Sequence, residues 1–269
     1  MTPLLGSRPV VVSPHLDDGV LSLGATIAVE TQRGIAVDVV TVFANDPASR
    51  APAEAWDRAC GFATEGEAAS ARREEDRQAC ELIGAVPKWL PFADSEYVRE
   101  RSESAVWEAL APLVSDADSV LLPGFPLAHP DHLWLTRLVL ARRADTQRVG
   151  LYVEQPYAAW RLIGRGRREW AAPGLTLRRG LLNATTIALR TRSGRAMQQP
   201  SAPENLVSDA SGLTWTATQP DARARRQKRQ AVSAYRSQLE GFGTHSGTVI
   251  ALYEHGWRGE GLAWLPSTR

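Results

Sequence analysis

The first 45 residues alternate between apolar runs and a helical segment, and this alternation restricts the fold more than any other feature. Residues 9–13, PVVVS, form a short β-branched run whose length and composition predict a buried strand. Residues 19–34 carry apolar side chains at helical spacing and end on glycine, a favoured helix stop. A second apolar run follows at residues 37–44. Strand, helix and strand in this order are typical of a parallel sheet with a crossover helix.

The same alternation continues to about residue 155. Helices are predicted over residues 67–84, 103–114 and the segment that begins at 132, and strands over residues 88–92, 118–123 and 150–154. Residues 46–66 indicate a loop with a short helix around Trp56. We therefore expect an α/β sandwich with a mostly parallel sheet.

The C-terminal third is less regular. Its patterns predict loops over 160–174 and 196–221, strands over 185–189 and 249–253, and a helix over 222–239. No internal repeat or linker divides the chain. We expect one domain over residues 1–269, with a core at 1–155 and a loop-rich C-terminal elaboration at 156–269.

Composition favours an ordinary globular protein. The chain has 269 residues and a formal net charge of +1, a balance that does not point to nucleic acid or to an anionic membrane as a partner. No apolar run approaches the length of a membrane span, and the N-terminus lacks a signal-peptide pattern, so we expect a cytoplasmic protein. Cys60 and Cys80 are expected to be free thiols, with a disulfide between them as the alternative.

Two polar clusters each follow a predicted core strand. The first is SPHLDD at residues 13–18, and the second is HPDH at residues 129–132. Ligand sites of parallel sheets form outside the carboxyl ends of the strands, so both clusters fall where a site is expected. Either cluster alone could be a turn with a helix cap. Together they supply the two histidines and one carboxylate that suit a catalytic zinc site with an open position for water.

These motifs resemble a known family. SPHLDD and HPDH, with an RREED helix between them, are similar to the PIG-L/LmbE-like de-N-acetylases over about the first 155 residues. The resemblance implies a Rossmann-like three-layer sandwich and one Zn²⁺ per chain, with other divalent metals as alternatives. It implies removal of an N-acyl group, acetyl first of all, from a GlcNAc-like unit of a small-molecule glycoconjugate in secondary metabolism. A mycothiol-pathway deacetylase or thiol-conjugate amidase is the alternative.

The resemblance also assigns roles to individual residues. It implies that His15, Asp18 and His132 bind the metal and that Asp17 is the general base. The base would accept a proton from the attacking water and pass a proton to the departing amine.

Three further residues receive roles in the same way. His129, in its protonated form, would support the oxyanion or protonate the amine, Asp131 would orient or charge His129, and Arg72 would lie near the substrate. Gly19 and Leu16 depart from the commoner PHPDDE form of the first motif. Neither departure removes a ligand or the base, but both leave the substrate subgroup open.

Three other interpretations remain at this point. An iron oxygenase could use His15 and Asp17 in a facial triad, although we expect that triad on an all-β fold. A dinucleotide-dependent enzyme would need GxGxxG where this chain has PHLDDG. A non-catalytic module could have kept the fold. His245 and His255 lie outside both motifs and are expected to be structural or exposed.

The sequence says little about which substrate the chain would bind. Trp56, Trp160 and Trp215 lie in predicted loops, where they could line a groove or simply pack the loops down. The segment 206–215 could support an apolar tail of the substrate. The oligomeric state is not indicated.

Overall fold

The computed structural model describes residues 3–97, 99, 101–142, 148–162, 213–242 and 246–266. The described strands form one sheet in the order β3-β2-β1-β4-β5-β7-β6. Their bounds are β1 Pro9–Ser13, β2 Asp38–Thr41, β3 Val86–Trp89, β4 Ser119–Phe125, β5 Arg148–Val153, β6 Trp215–Thr218 and β7 Glu260–Trp264. Strands β1 to β5 pair in parallel, and β7 joins the sheet antiparallel to β5 and β6. The mostly parallel sheet is confirmed.

Helices cover both faces of this sheet. Their bounds are α1 Asp18–Gln32, α2 Ala55–Ala59, α3 Glu65–Ile83, α4 Glu103–Val114, α5 Pro130–Arg142, α6 Tyr157–Leu162, α7 Ala222–Ala234, α8 Arg236–Phe242 and α9 Ser246–Trp257. Successive side chains of β1 enter opposite cores, because strand side chains alternate between faces. Val11 packs with α1, α3 and α7, whereas Val10 and Val12 pack with α4, α5, α6 and α9. The three-layer sandwich is therefore confirmed, and the parallel sheet does not fit the all-β fold of the oxygenase alternative.

Local sequence explains where the long helix α3 begins and ends. Thr64 Oγ1 accepts a hydrogen bond from the Glu67 amide, and Glu67 Oε2 accepts one from the Thr64 amide, each at 3.2 Å. This reciprocal pair satisfies two amides that the first turn leaves open. Gly84 ends the helix with a φ of +74°, a conformation that glycine adopts without a Cβ penalty. Helix α3 carries Arg72 and reaches the site described below.

The C-terminal part differs most from expectation. The predicted strand at 249–253 is wrong, since these residues lie in α9, and the last described strand is β7. Val249, Ile250 and Tyr253 are buried at helical spacing, and the short apolar run did not distinguish that pattern from a strand. The loop predicted over 196–221 contains β6, and the loop predicted from 160 begins inside α6. The remainder of those two loops, the strand predicted at 185–189 and most of the segment 206–215 lie outside the described residues.

The helix predicted over 222–239 is interrupted at Tyr235. Tyr235 separates α7 from α8, and its hydroxyl donates to Asp76 Oδ1 on α3 at 2.6 Å. Among the described helices, none is both long and apolar enough to cross a bilayer. No disulfide joins Cys60 to Cys80, as the sequence favoured.

A buried charge cluster fastens the C-terminal part to α1. Lys228 on α7 contacts both Glu254 on α9 and Glu260 on β7. The Glu260 carboxylate also accepts hydrogen bonds from the amides of Ala25 and Thr26, at 2.9 and 2.7 Å. Two carboxylates share one ammonium group here. Burial raises the pKa of Glu254 to about 7; Lys228 opposes this rise and Glu260 adds to it.

This pKa predicts a pH-dependent stability. Folded Glu254 holds a proton that the unfolded chain releases near its usual pKa of 4.5, so the free energy of unfolding falls as pH rises between about 4.5 and about 7. Glu254→Gln removes this loss. We expect the variant to gain up to about 3 kcal/mol over the wild type between about pH 5 and about pH 8. Urea unfolding at the two pH values measures the difference.

The matched control is Glu108→Gln, at an exposed position on α4. It should shift stability by the same small amount at both pH values. A pH-independent difference between Glu254→Gln and the wild type would contradict the charge-cluster interpretation.

Candidate metal centre and active site

The turn between β1 and α1 is held by one serine. Ser13 Oγ donates to the carbonyl of His15 at 2.7 Å and accepts from the amide of Gly19 at 2.9 Å. A Cβ at Gly19 would lie 3.3 Å from Ser13 Oγ and from Val39 Cγ1, so a larger side chain has little room. The glycine that departs from the commoner motif is thus explained by close packing at the turn.

The structure brings the three predicted metal ligands together where β1 and β4, the neighbouring strands at which the sheet order reverses, end. Asp18 Oδ2 lies 3.1 Å from His15 Nδ1 and 3.1 Å from His132 Nε2, and these two nitrogens are 3.2 Å apart. Ligands of a tetrahedral zinc ion stand roughly 3.3 Å apart. The near-equilateral triangle therefore fits one face of a zinc coordination shell.

A second combination of three histidines also converges. Ligand atoms of His15, His129 and His132 all lie within 4.8 Å of one another. These atoms spread over up to 4.8 Å, whereas the atoms of the set with Asp18 are 3.1 to 3.2 Å apart. In addition, His129 Nδ1 already accepts a hydrogen bond from the amide of Asp131 at 3.3 Å. The set with Asp18 is the better fit.

Carboxylates behind the two histidines fix their tautomers. His132 Nδ1 bonds to Glu154 Oε2, and His15 Nε2 lies 3.1 Å from Asp131 Oδ2. A carboxylate on one ring nitrogen keeps a proton there and leaves the other nitrogen free to bind a metal. In both rings the remaining nitrogen is the one in the triangle. Glu154 was not among the predicted site residues, although its place at the end of a predicted strand was a signal.

Asp131 occupies a different position from the one expected. Its Oδ2 is 3.7 Å from His129 Nδ1, too far for a hydrogen bond. The carboxylate instead bonds to His15, to the Ser95 amide at 2.9 Å and to Arg101 Nη1 at 2.5 Å. Asp131 therefore orients His15 rather than His129, a contact that the spacing within HPDH could not reveal.

The surroundings of His129 bear on its protonation. Burial, with the neighbouring His15 and His132, lowers the pKa of His129 to about 3, which favours the neutral ring over the protonated form that the resemblance implies. Because its Nδ1 accepts a backbone hydrogen bond, the ring proton lies on Nε2. His129 lines the pocket described next, so it can offer one neutral N–H donor there.

Asp17 and Asp18 have opposite environments. Burial, reinforced by Asp18, raises the pKa of Asp17 to about 8. Burial alone would also raise the pKa of Asp18, but His132 and His15 hold it well below its usual range. Asp17 is 3% exposed, and its Oδ2 has no hydrogen-bond partner in the described part of the chain. A buried, unpartnered carboxylate oxygen beside a metal-ligand triangle suits a proton acceptor.

A pocket with aromatic walls lies beside the triangle. His15, which belongs to the triangle, lines this pocket together with Asp17 and His129. Its other lining residues are Leu16, Phe43, Ala44, Asn45, Trp56, Ala69, Arg72, Asp94, Glu96, Tyr157, Trp160 and Gln238. Apolar walls with a few convergent polar groups are typical of small-molecule sites.

Several residues that the sequence singled out lie in or near this pocket. Arg72 lines the pocket, with its Nη2 2.6 Å from Asp57 Oδ1. Trp56 and Trp160 also line the pocket, whereas Trp215 is buried in β6 against the core. His255 is exposed on α9, and His245 lies outside the described residues.

Comparison with known proteins agrees with the motifs. Residues 10–142 match the PIG-L family model, described as GlcNAc-PI de-N-acetylase. This segment belongs to the PIG-L family. Both motifs of the site fall inside it, which confirms the resemblance. No curated protein matches the chain.

Solved structures similar to this chain match it over almost its whole length. The A40926 pseudoaglycone deacetylase Dbv21 is 24% identical with a TM-score of 0.69, and the match covers 98% of this chain and 99% of that one. A deacetylase triple mutant (Orf2*T) of the teicoplanin biosynthetic pathway is 25% identical with a TM-score of 0.69, covering 97% of this chain and 98% of that one. The zinc-inhibited form of the teicoplanin deacetylase Orf2 is 23% identical with a TM-score of 0.68, covering 97% and 98%. The shared fold thus includes the C-terminal part beyond the family match.

Glu154 gives a direct test of the metal centre. Glu154→Gln keeps an acceptor for His132 Nδ1 but removes the charge that makes this ring a strong ligand. We expect zinc affinity to fall about 10- to 100-fold. Competition with a chromogenic chelator measures it. Glu103→Gln, at an exposed position of α4, is the matched control and should bind zinc as the wild type does. Equal zinc affinity in the wild type and Glu154→Gln would contradict a role for Glu154 in metal binding.

Proposed function

We propose that this chain is a zinc-dependent amide hydrolase that removes an N-acetyl group from an amino-sugar unit of a small-molecule glycoconjugate. The observation that carries the proposal is the triangle of His15, Asp18 and His132 atoms beside the unpartnered Asp17 oxygen, at the end of an aromatic pocket. Metal ligands, a base and a concave binding surface are the parts that metal-assisted hydrolysis requires.

His15, Asp18 and His132 would hold the zinc ion. Two neutral imidazoles and one carboxylate are the donors that catalytic zinc prefers, and they leave a position for water or substrate. When bound, zinc would supply Lewis acidity to the amide carbonyl and lower the pKa of a water molecule towards about 7.

Asp17 would act first as general base and then as general acid. Its unpartnered oxygen accepts a proton as water adds to the amide carbon, and the carboxyl group then donates that proton to the departing nitrogen. The carbon–nitrogen bond breaks, giving acetate and a free amine. The buried position of Asp17 excludes competing solvent contacts.

His129 would stabilise the tetrahedral intermediate. Its Nε2–H group is a neutral donor that strengthens as negative charge develops on the former carbonyl oxygen. Asp131 and Arg101 would act indirectly, by orienting His15. Arg101 bonds to Asp131 and lies over the ring of Phe43 at 4.4 Å, which holds Asp131 against His15.

The pocket and the structural relatives support the substrate class. Aromatic side chains such as Trp56 and Trp160 suit the apolar faces of a sugar or an aglycone, and Asp94 and Glu96 suit its hydroxyl groups. The named relatives are deacetylases of teicoplanin and of A40926 pseudoaglycone. We include in the proposal a role in secondary metabolism, in line with these relatives, and a cytoplasmic location.

Replacing the proposed base separates chemistry from metal binding. Asp17→Asn keeps the size of the side chain and all three ligands but cannot accept the proton. We expect acetate release from N-acetylglucosaminides to fall about 10²- to 10⁴-fold with unchanged zinc content. Asp116→Asn, on an exposed turn, should match the wild type in both assays. A near-normal rate for Asp17→Asn would overturn the base assignment.

Metal removal tests the class of reaction. Protein treated with a chelator should release no acetate, and activity should return as zinc is titrated up to one equivalent per chain. The titration stops there because one relative has been described in a zinc-inhibited form. Full activity of the metal-depleted protein would contradict the metal-dependent mechanism.

A further inference from the structure

We infer that Gln238, on α8 in the C-terminal part, is a specificity-determining residue that donates a hydrogen bond to an oxygen of the substrate's sugar. The inference rests on the proposed function and assigns a role outside residues 10–142. Gln238 lines the same pocket as His15 and Asp17 and is 6% exposed. A buried amide in a pocket wall needs partners for both of its polar atoms.

The orientation of the Gln238 amide is fixed by chemistry. Trp56 Nε1 lies 3.2 Å from Gln238 Oε1. An indole nitrogen can only donate, so the atom that faces it must be the amide oxygen. The NH₂ group then lies away from the indole. Within the described part of the chain, no protein hydrogen bond to this nitrogen is found, so its two N–H donors remain for a ligand.

The chain that leads into Gln238 is held against α3 by contacts of two preceding residues. Ser237 donates from its amide and its hydroxyl to the two carboxylate oxygens of Glu75, at 2.9 and 2.7 Å. Tyr235 donates to Asp76 at 2.6 Å. Glu75 and Asp76 lie on α3, one turn beyond Arg72, which lines the same pocket. These contacts to α3 fix the position of the Gln238 amide relative to Arg72 in the pocket wall.

A sugar supplies the complement of this donor. Each hydroxyl group has a hydrogen to donate and lone pairs that accept. Asp94 and Glu96 can take the hydrogens when ionised, but they offer no donor of their own. Arg72, the cationic donor in the wall, forms an ion pair with Asp57, although its Nε and Nη2 lack a hydrogen-bond partner in the described part of the chain. The Gln238 amide thus provides a neutral donor suited to a hydroxyl oxygen away from the reacting amide.

The test compares variants of Gln238 on a set of N-acetylglucosaminides that each lack one ring hydroxyl group. Gln238→Leu keeps the approximate shape and removes the donor. Gln238→Glu keeps an acceptor for Trp56 and turns an acceptor towards the substrate. We expect both variants to lose about 2- to 12-fold in kcat/KM on the fully hydroxylated sugar, mainly through KM. Zinc content should not change.

One member of the set should behave differently. On the analogue that lacks the recognised hydroxyl group, Gln238→Leu and the wild type should have equal kcat/KM. Gln230→Leu is the matched control, because Gln230 is exposed on α7 and does not line the pocket, and it should equal the wild type throughout. Trp56→Phe removes the indole donor and leaves the Gln238 amide free to rotate by 180°. It should therefore reduce the difference in kcat/KM between the fully hydroxylated sugar and the analogue that lacks the recognised hydroxyl group.

Failure of this inference is distinct from failure of the proposed function. If the zinc-loaded wild type releases no acetate from any member of the set, the proposed function fails. If the wild type is active and Gln238→Leu equals it on every member, the role of Gln238 is refuted. An equal loss on every member would also refute it, because a misplaced wall would lower all rates alike.

Discussion

The site depends on how buried carboxylates and imidazoles share protons. Asp18 and Asp131 flank the ring of His15, and Asp18 and Glu154 flank the ring of His132. Burying such groups is costly unless each charge is paired. The outer carboxylate of each ring retains a proton on the imidazole, and the inner nitrogens meet at Asp18. Three electron pairs then face one point, and a divalent cation is the partner that best offsets them.

The fold creates this meeting point through the reversal of strand order. Strands β1 and β4 are parallel neighbours, and the turns that follow them carry the two motifs. Parallel strands end at the same edge, so residues more than a hundred positions apart become adjacent. The same edge receives Glu154 directly after β5. If these two strands were antiparallel, the motifs that follow them would lie at opposite ends of the strands.

The sequence predicted the parts of the site that depend on local motifs, and missed those that depend on long-range contacts. The strand at residues 9–13 and the helix at 103–114 have the predicted bounds, because periodicity and caps are local signals. The contacts of Asp131 with His15, Ser95 and Arg101 were not predicted, since HPDH alone does not reveal which residues face the carboxylate. Gln238 carries no motif, and it lies on α8, which begins after the break at Tyr235 in the helix that the sequence predicted as continuous.

The proposed ligands and base lie in the N-terminal part of this chain, the proposed donor Gln238 lies in the C-terminal part, and two helices join these parts. Helix α1 begins at the proposed ligand Asp18, and Glu260 of β7 binds the amides of Ala25 and Thr26 two turns later. Helix α3 joins Arg72 to the residues that hold α8. The C-terminal elements are thereby fixed to both helices without contributing any of the three proposed ligands. Changes in the wall at α8 can therefore alter which sugar is accepted while the metal triangle keeps its geometry. This separation is a physical route by which related chains could share one reaction and differ in substrate.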